Sequence, residues 1–318
     1  MHKNEFEGAL ILFACSLLWG ATFIFQSQAS VFIDAYTLSA FRNIVGAIFL
    51  LPFTLISVKR NERTTKTKFK WKTAVIGGIF CGLCYTTASI FQQIGIADTS
   101  TGKAAFITAL YIVLVPLFGL FLHKKVGLNI YISIAIALVG LALLCFKGSF
   151  SIAPEDLFLI LGALFFTFQI LLVDHYSPKT NGIALCFFQL LTAAIISTIL
   201  MLSIHIPSIE SIINAGISIL FCGIFSSGIA YTLQIIGQKK VSSSIASLIM
   251  SLESVNSAVL GSIIYIFYQW TEVNQLLNTQ EIIGCVVMFL AVILSLIPPE
   301  KFKLFSNKKI EKDNLETK

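Results

Sequence analysis

The stretch ASIFQQIGIADTSTGKAAFITALYIVLVPLFG, residues 88–119, occurs a second time in altered form as AYTLQIIGQKKVSSSIASLIMSLESVNSAVLG, residues 230–261. Laid one over the other without a gap, the two copies match at Gln92 and Gln234, Gly95 and Gly237, Ser100 and Ser242, and Gly119 and Gly261. Ala88/Ala230, Ile107/Ile249, Leu110/Leu252 and Val113/Val255 match as well, though apolar identities are cheap in an apolar chain. An internal repeat of this kind governs every later reading of a sequence. Here the repeated unit is hydrophobic, so the expectation is a duplicated membrane fold.

Composition agrees. Of 318 residues, 56% are hydrophobic and 12% charged, with a mean hydropathy of +0.87. Soluble domains average about 45–50% apolar and about 25% charged, so lipid must be the solvent. The net charge of +6 sits mainly in two blocks, residues 59–72 and 301–318, each flanking an apolar run. That distribution is a topology signal and argues against a nucleic-acid partner. The seven cysteines all lie in apolar runs, and Cys81 and Cys84 form a lone CxxC without a second ligand pair. They read as small packing residues, and the four histidines make no metal constellation. No phosphate-binding loop appears, and the reading includes no cofactor and no metal.

A spanning helix needs about 20 mostly apolar residues. Ten such segments can be drawn: 8–26, 35–57, 73–93, 102–122 and 129–146, then 155–173, 182–204, 214–237, 243–268 and 280–297. Residues 1–7 and 298–318 are the expected charged cytoplasmic ends, and 8–146 and 155–297 the two repeats. The start of the chain resembles a signal peptide but runs on through Trp19 to Gln26 without a convincing cleavage site, so it reads as a retained first helix. Lys59, Arg60, Arg63, Lys66, Lys68, Lys70, Lys72, Lys124, Lys125, Lys179, Lys239 and Lys240 all fall on one side when both termini are cytoplasmic; Lys147 falls on the other. Five spans per repeat is odd, so the second copy starts from the opposite face. The fold class expected is therefore an all-α membrane protein of ten transmembrane helices arranged as two inverted five-helix repeats, in the cell membrane. Inverted repeats place a binding site between the halves near the midplane.

Polar residues inside the spans are the candidates for that site. Tyr85, Ser89 and Gln92 share one face of the third helix, and Ser227, Tyr231 and Gln234 share one face of the eighth at the same repeat positions. Trp19, Thr22 and Gln26 share a face of the first. The expected cavity lining is Trp19, Thr22, Tyr85, Ser89, Gln92, Tyr111, Ser227, Tyr231, Gln234 and Asn256. Against it stands the plainer reading that each polar group only bonds a neighbouring helix. Gly78 and Gly82, and the serines 243, 247, 251 and 254, read chiefly as close-packing positions.

Glu253 is the sharpest residue, since a carboxylate deep in the bilayer costs a few kcal/mol or more unless paired or protonated. Its repeat counterpart is Tyr111. Three roles compete for it: proton carrier, substrate contact, or structural partner of Arg42 or Lys103. Arg42 could instead snorkel out of the second helix, and Lys103 opens the fourth close to the outer surface.

Leu18-Trp19-Gly20-Ala21, Phe41-Arg42, the run from Lys103 to Tyr111 leading to Val115-Pro116, the run from Gly228 to Gln234, Gln238-Lys239 and Ser251-Leu252-Glu253 together carry a further likeness. In their order and spacing the chain resembles the EamA-type branch of the drug/metabolite transporter superfamily over nearly all its length. The resemblance implies ten helices, export or exchange of small metabolites, a cavity among helices 3, 4, 8 and 9, and peripheral helices 5 and 10. The chain departs from the family pattern at Ser254, where Pro is frequent, and in the polar loop 269–279.

The leading expectation is a secondary transporter for a small amino-acid-like or drug-like metabolite, working by alternating access and driven by a gradient or by its substrate. The alternative is an obligate exchanger of nucleotide-sugar or sugar-phosphate type, which needs several basic residues in the cavity. An intramembrane enzyme is a remote alternative, because Glu253 is the single deep acid found. The partners implied are a small-molecule substrate and the lipid bilayer, and a homodimer is compatible with them.

Overall fold

A computed structural model describes residues 3–66, 68–98, 101–124, 126–145, 154, 156–268 and 276–297. The basic tail 298–318 and residues 269–275 of the polar loop 269–279, both singled out in the sequence, lie outside the described residues. Nine helices among the described residues are long and apolar enough to cross a membrane, and Thr279–Ser295 is a shorter apolar tenth. No strand occurs among them. The spans in order are Lys3–Ala29, Ala35–Thr65, Trp71–Asp98, Thr101–Thr108 with Tyr111–Phe121, Leu128–Cys145, Asp156–Tyr176, Gly182–Ile204, Gly216–Gln238, Ser243–Met250 with Glu253–Tyr268, and Thr279–Ser295.

The starts of several spans are written in capping chemistry. Asp34 accepts from the amides of Tyr36 and Thr37, Asn181 from Ile183 and Ala184, and Ser242 from Ile245. Asn278 and Glu281 form a reciprocal capping box on the tenth span. Such caps satisfy amides that the first turn of a helix leaves without an intrahelical acceptor.

The bundle is apolar outside and polar within. Large side chains such as Ile48, Ile199, Ile217 and Ile293 are more than half exposed, whereas Gln169, Gln189, Gln234, Asn43 and Ser227 are buried. A water-soluble chain would aggregate with that surface; a bilayer accepts it.

Helix packing obeys the duplication. The second span packs on the seventh and the fifth on the tenth, each pairing a helix with its own counterpart. The third on the sixth is matched by the first on the eighth, the third on the seventh by the second on the eighth, and the fourth on the sixth by the first on the ninth. Gly95 and Gly237, a repeat pair, serve equivalent interfaces. A Cβ on Gly95 would stand 2.4 Å from Leu159 Cγ of the sixth span, and one on Gly237 2.7 Å from Leu12 Cγ of the first.

Three spans depart from simple helices. The fourth breaks at Ala109–Leu110 and the ninth at Ser251–Leu252, which are the same positions of the two repeats. Both breaks are tightened turns rather than unwound chain. Ile112 N bonds Ala109 O at 3.0 Å and Val113 N bonds Leu110 O at 3.0 Å, while Ser254 N bonds Ser251 O at 3.2 Å. Single uninterrupted helices over 102–122 and 243–268 are thus corrected to two segments each. Ser254, standing where the resembling family often has Pro, does not prevent the break. The eighth span, expected as one α-helix over 214–237, contains a π-helical stretch at Cys222–Ala230.

Candidate functional site

Tyr111 opens the second half of the fourth span and Glu253 the second half of the ninth. Glu253 therefore stands in the first turn of a helical segment that starts in mid-span, where the helix dipole favours a carboxylate. Tyr111 Oη donates to Glu253 Oε1 at 3.0 Å, and Glu253 is only 5% exposed. The acid is thus met by a helix start and by a phenol, not by a cation.

The two partners of that bond are 142 residues apart, the repeat spacing, and so are Tyr85 and Ser227, whose hydroxyl oxygens lie 3.3 Å apart. A residue that touches its own counterpart must sit on the axis exchanging the two copies. Two such pairs mark that axis through the bundle, and the site is built around it.

Glutamines brace the flanks. Gln26 Nε2 donates to Gln93 Oε1 at 3.0 Å and to Gln92 Oε1 at 3.4 Å. On the other side Gln234 Nε2 donates to Gln169 Oε1 at 3.0 Å, and Gln169 Nε2 returns a bond to Gln234 Oε1 at 3.3 Å. The first span therefore meets the third as the sixth meets the eighth. Trp19 stacks at a tilt on Tyr231, ring centroids 4.8 Å apart, and Tyr231 lies edge-on to Tyr85 at 4.6 Å.

Arg42 points inward. Its Nη2 donates to Ser226 Oγ at 2.9 Å and its Nε to Ser227 Oγ at 3.1 Å, both serines on the π-helical stretch. Tyr85 Oη donates to Asn43 Oδ1 at 2.9 Å beside it. At 4% exposure Arg42 does not snorkel.

These groups surround a small cavity with about 40 Å³ of room for the centres of water-sized molecules. Of the residues expected to line it, Trp19, Thr22, Ser89, Gln92, Tyr111 and Tyr231 do, with Arg42 and Glu253. Tyr85, Ser227 and Gln234 stand behind the wall, bonded to groups there. Asn256 is also set back, donating to Ser16 Oγ at 2.9 Å and so tying the ninth span to the first. Lys103 is not in the wall; it pairs with Asp156 at 2.6 Å, across the starts of the fourth and sixth spans. Neither Arg42 nor Lys103 is the partner of Glu253.

The wall also contains Phe23, Gln26, Thr108, Phe166, Gln169, Ile170 and Ser226. The sixth span's contribution was missed because the gapless register that aligns the third and eighth spans does not place Gln26 over Gln169. Helices 1 and 6 thus join helices 3, 4, 8 and 9 about the cavity, with Arg42 supplied by helix 2, while helices 5 and 10 supply none of the lining residues. No group of three or more His, Cys, Asp or Glu side chains suited to a metal occurs among the described residues, those around Cys81 and Cys84 included.

A duplicated ten-helix membrane bundle enclosing a polar cavity on its internal axis defines a membrane transporter. Residues 6–146 and 153–297 each match the EamA-like transporter family, and the chain belongs to it. A curated relative, an uncharacterized transporter of Archaeoglobus fulgidus, is 26% identical over 280 residues, covering 88% of this chain and 82% of that one. A solved crystal structure superposes with a TM-score of 0.71 at 17% identity, covering 93% of this chain and 98% of the other; this likeness concerns the fold alone. The role is that of a transporter, not an enzyme.

Proposed function

We propose that the chain is a secondary carrier that moves a small metabolite outward across the cell membrane by alternating access between inverted repeats. The observation that carries this reading is the pair of breaks at equivalent positions of the fourth and ninth spans, joined at the axis by Tyr111 and Glu253. Discontinuous helices meeting at a repeat interface are the usual construction of a carrier's central site, and short tight turns inside helices frequently mark hinges. The lysine and arginine distribution supports both termini in the cytoplasm.

Glu253 is the coupling residue in this reading. It lines the cavity, lacks a cationic partner, and sits where each copy's break meets the other's. The exchanger of nucleotide sugars or sugar phosphates is disfavoured, because Arg42 is the one cation among the described lining residues and Lys103 is engaged with Asp156 outside the wall.

Flux into proteoliposomes containing the purified protein, measured across a metabolite panel with and without a pH gradient, tests the reading. Transport of at least one compound is expected, accelerated by the gradient, with Glu253→Gln abolishing the acceleration. Flux indistinguishable from empty liposomes for the whole panel would refute the carrier. Unchanged gradient dependence in folded Glu253→Gln would return Glu253 to a structural role.

A further inference from the structure

Arg42 holds a full positive charge in the cavity wall with neutral acceptors only. Three lysines at helix ends are treated differently: Lys103 faces Asp156, Lys124 faces Asp174, and Lys240 faces Glu7. Arg42 has two serine hydroxyls and, among the described residues, no carboxylate. Glu253 shares the cavity but is turned to Tyr111.

Hydroxyl oxygens satisfy N–H groups without cancelling charge. An arginine keeps its proton even when buried, and a buried ion without a counter-ion costs several kcal/mol. Of the guanidinium donors, Nε and Nη2 are engaged by Ser227 and Ser226, and Nη1 has no acceptor among the described residues. Ser226 and Ser227 are consecutive residues of the π-helical stretch, so one segment of wound backbone fixes one edge of the fork. The unfilled part belongs to a side chain lining the cavity. A planar fork of this kind matches the two oxygens of a carboxylate.

We infer that Arg42, held by Ser226 and Ser227, is an anion subsite that takes a single carboxylate of the transported molecule. The inference rests on the carrier reading for the word transported, and deepens it by naming the ligand's chemistry. One cation suits one negative charge. A pyrophosphate-bearing ligand would bring two or more negative charges to a wall with one guanidinium.

A ligand that binds only the folded state raises the unfolding midpoint as its concentration exceeds its Kd, which permits a test without flux. Purified protein in detergent would be heated with benzoate or benzamide, L-phenylalanine or L-phenylalaninamide, and L-threonine or L-threoninamide, at matched ionic strength. At least one carboxylate is expected to raise the midpoint above that given by its amide. Arg42→Gln should erase that difference. Ser226→Asp, which leaves Arg42 in place but supplies an internal counter-charge, should erase it too, and decides the matter if Arg42→Gln does not fold. Equal shifts for acid and amide throughout the panel, or a difference that survives in Ser226→Asp, would overturn the subsite. A carrier of neutral or cationic molecules would show flux with no carboxylate shift, whereas a carboxylate shift without flux would fault the carrier reading alone.

Discussion

Glu253 and Tyr111 occupy one position of the repeat and carry opposite chemistry, an acceptor in one copy and a donor in the other. Duplication from a common unit can bring identical residues to an axis, but two identical acids would repel there. Divergence to a phenol and a carboxyl turns the axis contact into a hydrogen bond. Removing the phenol hydroxyl in Tyr111→Phe leaves a buried acid short of its donor, a loss of about 1–3 kcal/mol. The expected lowering of the unfolding midpoint should be non-additive with Glu253→Gln, with a coupling of about 0.5–3 kcal/mol in a double-mutant cycle. Additive midpoint changes would show that the 3.0 Å contact contributes nothing. The position of Glu253 and its contrast with Tyr111 were legible, since both need only the repeat and the span boundaries. Its partner was not. Charge arithmetic points to Arg42 or Lys103, but a helix start and a phenol satisfy an acid as well, and neither leaves a mark in composition.

At the scale of helices, the ten spans were legible because lipid leaves an apolar run few alternatives to a helix, although the first helix starts five residues before its expected bound and the second and third run eight and five residues beyond theirs. The breaks were hidden. Neither Ala109–Leu110 nor Ser251–Leu252 contains Pro or Gly, and a tightened turn of apolar residues reads like any other turn. The π-helical stretch does contain Gly223 and Gly228, but glycines in an apolar span read as packing positions as readily as a change of winding; Ser226 and Ser227 both bond Arg42 from it. Glycine spacing was more informative. Gly78 was expected at a close helix contact, and a Cβ there would stand 2.2 Å from Phe188 Cβ and 2.9 Å from the Phe188 carbonyl carbon. Backbone cannot yield as a flexible side chain does, so the third and seventh spans would have to separate. Gly78→Val is expected to cost about 1–3 kcal/mol by overpacking, read as a lower unfolding midpoint or loss of monodisperse protein. A midpoint equal to wild type would mean that these spans are not packed as described.

For the molecule as a whole, the proposed alternating access would require the two ends of the bundle to open in turn, and ion pairs between the fourth and sixth spans lie where each end would be held. The two spans belong to different repeats, and the pairs clamp them at both ends. Lys103 and Asp156 join their starts, and Lys124 and Asp174 join their far ends, where Lys124 also reaches Ser243 Oγ at 3.4 Å. Loosening one clamp should bias the bundle toward opening on that side, by as much as the pair stabilises the closed end. The Lys124–Asp174 pair is partly exposed, 33% and 23%, and such pairs contribute about 0–1 kcal/mol; its loss shifts the balance by up to about fivefold. The opposite pair is less exposed, 19% at Lys103 and 1% at Asp156, and ion pairs are screened less as they are buried, so the opposite clamp should have the larger effect. A single cysteine at Thr108, in the cavity wall, in a background lacking the native cysteines would report this through labelling by a membrane-impermeant maleimide. Asp174→Asn should raise labelling from the face that carries Lys124, and Asp156→Asn should raise it more strongly from the other. If both variants raised labelling from the same face, the two pairs could not be clamps on opposite ends of one moving interface, and the motion would have to be sought between other helices.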